Sequence, residues 1–145
     1  MKLRLQIVFF FCCALASSWS MAQTNLPTEG TEFWLGYTNN FTGTEALEVY
    51  ITSETTASGQ VSMPGMGWSQ FFSVTPGVTT NVYIPIGYAQ ITSNQLIENR
   101  AVHVVSDNAI SVFALNAHFS SMDATVVLPV QSLGTEYFVA SYSGV

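Results

Sequence analysis

Basic residues are scarce in this sequence: three Lys or Arg stand against nine Asp or Glu in 145 residues. They are Lys2, Arg4 and Arg100, so a single Arg serves everything beyond the first few positions. Binding to nucleic acid draws on several cations that neutralise phosphates, and this chain does not carry them. The same lack argues against docking on an anionic membrane surface. Cysteine is limited to Cys12 and Cys13. No apolar run approaches the roughly 20 residues that a transmembrane helix needs, and no transmembrane segment is expected. A GxSxG nucleophile elbow, an EF-hand loop and a second His or Cys at ligand spacing are all missing. No catalytic, cofactor-binding or metal-ligating residue is therefore assigned.

What is present begins with an export signal. Lys2 and Arg4 precede the uncharged stretch 7–16, and small or polar residues follow, which is the order of a secretory signal peptide. Ser20 and Ala22 occupy the positions three and one before a cut. They favour a signal peptide over 1–22 and a mature start at Gln23, against a competing site after Ala16. A lipid-modified Cys12 or Cys13 is disfavoured by Phe9, Phe10 and Phe11 before them. Removing the leader takes both thiols and two of the cations. Residues 23–145 then hold nine carboxylates and one Arg, a net charge of −8. A domain without disulfides has to rely on its core, and its length suffices for one. A secreted or cell-surface location and a bacterial source are expected.

Period-2 alternation dominates the mature part and no helical period is sustained. Stretch 47–52 puts Leu47, Val49 and Ile51 on one face and Glu48, Tyr50 and Thr52 on the other. Strands are also predicted at 32–37, 60–63, 68–74, 79–84, 101–106, 110–116, 126–130 and 137–142. The last two are apolar on both faces and are expected near the centre of a layer. Pro64-Gly65 and Pro76-Gly77 each predict a tight turn with positive φ at Gly. Asp107-Asn108-Ala109 predicts a hairpin turn between the strands that flank it, and Ser93 allows at most one helical turn. The fold class expected is all-β, an antiparallel β-sandwich or jelly roll of about nine short strands in one domain, 23–145. GTEFWLGYT (30–38) is echoed by GTEYFVASY (134–142). The echo reads either as two strands in equivalent positions of a pseudo-symmetric sandwich or as the opening of a second related unit; a central-looking strand just before Val145 supports the second and predicts a fragment of a longer protein.

Four segments, GTEFWLGYTNN (30–40), GWSQFFSVTPGVTTNVYIP (67–85), IENRAVHVVSDNAISVFALN (97–116) and LPVQSLGTEYFVASY (128–142), together resemble the IgGFc-binding protein N-terminal domain family. The resemblance implies an extracellular β-rich module with a binding or adhesion role. It carries no residue motif for Fc binding.

His118 with Ser120, Ser121 and Asp123 is the best catalytic constellation, but neighbours in a loop are not an assembled triad, and a solvated loop is expected. His103, between Val102 and Val104, is expected to be partly buried and hydrogen-bonded. Asp107 and Asp123 read as turn-forming or capping residues. Trp34, between Phe33 and Leu35, is expected in the core, whereas Trp68, after the 64–67 turn, is the one candidate partner contact. Asn40-Phe41-Thr42 fits a glycosylation sequon, which matters only in a eukaryotic secretory pathway, and Asn39-Asn40 is read as a turn. The function expected is a binding or adhesion module for a protein or glycan partner, with loops 38–45 and 63–67 presented on the scaffold. A structural spacer is the alternative, and the non-catalytic part of a carbohydrate-active enzyme is third. The chain itself is not expected to be an enzyme.

Overall fold

A computed structural model describes residues 26–40, 43–93 and 96–137. The signal peptide, the start at Gln23, most of predicted strand 137–142 and Phe41 and Thr42 of the sequon lie outside these. Within them the chain is almost all strand: β1 (Glu29–Leu35), β2 (Tyr37–Thr38), β3 (Ala46–Thr52), β4 (Ala57–Met63), β5 (Trp68–Val74), β6 (Thr80–Ile84), β7 (Gln90–Ile91), β8 (Val102–His118) and β9 (Ser121–Val127). Seven of them form one antiparallel sheet, in which β5-β4-β8-β3-β6 is the main path and β1 and β9 both pair with β8. Strands β2 and β7 make a short parallel ladder.

The length of β8 explains the architecture. Residues 102–106 of β8 lie between β1 and β4, and residues 111–118 lie between β9 and β3. Consecutive strands β3 and β4 therefore run along one edge of the same long strand, and β5 and β6 follow them one position further out. Each row turns a corner at about the same height. The sheet thereby folds into two layers, β1-β8-β4-β5 and β9-β8-β3-β6, as strands that change layer through a bend do in sandwiches. Buried side chains of both layers, Val61, Phe72 and Val104 from one and Leu47, Ile51, Val82 and Val112 from the other, make a single core with Phe33. An antiparallel sandwich is the outcome expected of the alternation, built by seven of the nine described strands, with differences at particular elements.

The predicted hairpin at 107–109 does not form, and β8 runs through it as one strand of 17 residues. Side chains explain this. Asp107 Oδ1 accepts the backbone N–H of Ser58 at 2.7 Å, and Asn108 Nδ2 donates to the Thr56 carbonyl at 3.0 Å. Ser106 Oγ donates to the Asn108 carbonyl at 2.6 Å, and Ser53 Oγ donates to the Ala109 carbonyl at 2.8 Å. The polar residues that signal a turn are used to stitch a bend to the neighbouring row.

At 64–67 the chain makes a 3-10 turn (Pro64–Met66), and the left-handed residue is Gly67, at φ 66°, instead of Gly65. The turn at Pro76-Gly77 is as predicted, with Gly77 at φ 73° and Val78 N–H bonded to the Thr75 carbonyl at 3.0 Å. Stretch 126–130 is not a central strand. Strand β9 ends at Val127 on the rim, and Pro129 bridges Phe33 before a 3-10 turn at Val130–Ser132. One helical turn, α1 (Ile86–Ala89), follows Pro85, a few residues earlier than Ser93. Residues 134–137, the start of the echo, carry no strand.

Candidate functional site

Strand alternation sends every second side chain outward, so each layer has a solvent face whose composition the register fixes. The β9-β8-β3-β6 layer presents the rows Ala124, Leu115, Glu48, Tyr83 and Val126, Phe113, Tyr50, Asn81, with Met122 beside Ala117 at one end. Most of these are apolar. Met122 is 66% exposed, Tyr83 65%, Val126 46% and Phe113 38%. A contiguous apolar face of this kind marks an interaction surface more often than isolated exposed residues do.

One carboxylate sits within it. Glu48 is only 8% exposed, and Asn81 Nδ2 donates to its Oε2 at 2.6 Å. Tyr50 is also hydrogen-bonded to Glu48, which raises the pKa of its phenol; burial and the charges of Glu48 and Tyr83 act in the same direction. The backbone carbonyl of Glu48 accepts the hydroxyl of buried Tyr37 at 2.6 Å. Glu48 is thus tied from side chain and backbone, and the face around it is held in one geometry.

The β1-β8-β4-β5 layer presents a different surface. Its rows are Trp34, His103, Ser62, Ser69; then Glu32, Val105, Gln60, Phe71; then Asp107, Ser58, Ser73. Trp34 is 43% exposed and not in the core. Its neighbours Phe33 and Leu35 take the inward positions, and period 2 sends Trp34 out, where it stacks on His103 with ring centroids 4.0 Å apart and planes 13° apart. His103 is half-buried, as expected, and its Nε2 lies 3.0 Å from Glu32 Oε1. An open groove of about 760 Å³ runs between His103, Val105, Gln60 and Phe71. Inward-facing Gly59 is closely covered: a Cβ there would collide with the Val105 carbonyl and stand 2.6 Å from the Phe72 ring.

The sequence-selected residues scatter. His118 and Ser121 close the β8–β9 hairpin around Phe119-Ser120, with Ser120 Oγ 3.1 Å from His118 Nδ1. Asp123 is not in a turn but on β9, opposite Asn116, where it lines a small cavity of about 150 Å³ with Thr38 and Thr125. Trp68 begins β5 opposite Met63 and is half-buried against the core. Arg100 is spent internally, through Glu98 Oε2 at 2.6 Å and the Gly87 carbonyl at 2.7 Å. Among the described residues no group of three His, Cys, Asp or Glu is placed to hold a metal. No helix of the described residues is long and apolar enough to cross a membrane. Tyr83, Phe113, Met122, Val126 and Phe71 were not selected from the sequence. Their signal was large apolar residues on both phases of one strand, which identifies a covered strand as readily as an exposed face.

The fold and its two outer faces define an all-β module with a broad apolar surface on one layer and, on the other, a groove that combines Phe71 and Val105 with Ser and Gln side chains. The chain is similar to the human IgGFc-binding protein, 39% identical over 92 residues, which are 63% of this chain and 2% of that protein. This establishes a distant relationship to a small part of a far longer protein. No family model matches the chain, and no solved structure matches it.

Proposed function

We propose that this chain is an extracellular protein-binding module, without catalytic activity of its own, that docks its partner on the outer face of the β9-β8-β3-β6 layer. The carrying observation is the apolar surface of Tyr83, Tyr50, Phe113, Val126 and Met122 around the anchored Glu48. Aromatic residues and Met are enriched at the centres of protein interfaces, and a rigid support lowers the entropy lost on docking. The printed name of the human relative supports a protein partner, and the predicted signal peptide supports export. Recognition on this reading rests on a strand face, with loop 38–45 bordering one end of it, where the Glu45 N–H bonds the Ala117 carbonyl at 2.9 Å.

The Fc fragment of IgG is the first probe, suggested by that name. Surface plasmon resonance with immobilised Fc is expected to show saturable binding that Tyr83→Lys and Val126→Lys each weaken at least tenfold. Binding that survives both substitutions rejects this face, and no binding at all rejects Fc as the partner.

A further inference from the structure

The groove on the opposite layer has a chemistry of its own. Phe71 is 79% exposed on edge strand β5, and Trp34 is 43% exposed on β1 at the other side of the layer. Three inter-strand steps, about 14 Å, separate the two strands. Between them lie His103 and Val105 of β8 and Ser58, Gln60 and Ser62 of β4, with Ser73 near Phe71 on β5, so that Val105, 41% exposed, adds apolar surface among short polar side chains. Among the described residues, Ser58 and Ser73 enter hydrogen bonds only through backbone atoms, and the Gln60 amide has no partner. A volume of about 760 Å³ lies within the range of small-ligand sites, about 300–1,000 Å³.

From this arrangement we infer that the β1-β8-β4-β5 face is a carbohydrate-binding site for neutral glycans. A pyranose ring has an apolar C–H face and a rim of hydroxyls. Phe71 offers the flat apolar surface, and the unpaired hydroxyls and amide offer both donors and acceptors for the rim. Charge selects the class of sugar. Glu32 and Asp107 are the carboxylates of this face, and Arg100 is engaged elsewhere, so sialylated or sulfated chains are repelled. Glu32 is committed to His103, and Asp107 Oδ1 to the Ser58 N–H, which leaves neutral groups as the available partners. A peptide would be expected to add to the free edge of β5, not to lie across the strands.

The inference does not depend on protein docking at the other layer, and its test reads sugar binding alone. The full chain is applied to an array of neutral oligosaccharides and their sialylated and sulfated counterparts, and the best neutral ligand is then titrated calorimetrically. Retention on neutral sugars is expected, with Phe71→Ala weakening binding at least tenfold and Gln60→Ala several-fold. Val78→Ser, in the 75–78 turn away from both faces, is expected to bind like the parent. Both groove residues reach the surface, and an unchanged melting curve shows that the variants are folded. Failure to retain any neutral sugar, preference for the anionic counterparts, or unaltered binding by folded Phe71→Ala overturns the assignment.

Discussion

Tyr37 shows how one buried hydroxyl links the small β2-β7 ladder to the main sheet. Its side chain is 3% exposed, and burial first, then the charge of Glu48, pushes its pKa well above the ordinary 10.0. In the unfolded chain the phenol ionises near 10.0, while in the fold it stays protonated to higher pH. Its contribution is thus fully present below that value and is lost as pH rises above it. Tyr37→Phe, which removes the hydroxyl's bond to the Glu48 carbonyl, should cost about 1 kcal/mol at pH 7 and reduce the alkaline fall in stability. Urea unfolding at pH 7 and at strongly alkaline pH checks both effects. An alkaline slope equal to that of the parent would contradict the pKa account. The position of Tyr37 was legible only as an aromatic at the end of a predicted strand; its carbonyl partner on β3 was not.

Strand β8 is the element around which the rest is arranged, and its bend depends on side chains that sequence reading assigns to a turn. Asp107→Ala removes the acceptor for the Ser58 N–H and should destabilise the protein by about 1 kcal/mol, the size of one hydrogen bond. Amide hydrogen exchange at Ser58 is expected to quicken while exchange at Val49, in the middle of β3, follows only the global change. Equal acceleration at both amides would mean that Asp107 supports the fold generally and not the corner. A clue to the unbroken strand was in the sequence. Val102, Val104 and Ser106 share their phase with Ile110, Val112 and Ala114, and all are buried. Continuity of phase is compatible with a hairpin too, so the bonds to Thr56 and Ser58 decide the matter.

At the scale of the molecule, the two layers give it two outer faces of different composition, one a nearly continuous apolar surface and the other a groove of mixed lining. Tyr83→Lys with Val126→Lys places cations on the apolar face without touching the core. Surface changes of this kind alter stability by about 0.5 kcal/mol or less. The double variant is expected to bind less of an apolar fluorescent dye and to sediment as a smaller species at high concentration than the parent. Unchanged dye binding would show that this face is not the accessible apolar surface. A fall in melting temperature of more than a few degrees would show that Tyr83 and Val126 support the fold.

The sequence by itself determined the β class, the extents of β3, β5 and β6, the Pro76-Gly77 turn and the acidity of the chain. These are local: alternation, turn chemistry and charge are read along the chain without knowing what lies beside it. The tertiary structure decided that β8 passes through both layers, that Trp34 stacks on His103 instead of entering the core, and that Glu48 is enclosed. It also decided that apolar residues from β8 and β9 form one face with Tyr83 of β6. Each of these depends on strand order and register, which place residues far apart in sequence on one row. Period 2 states that two faces exist; only the pairing of strands states which of them meets water.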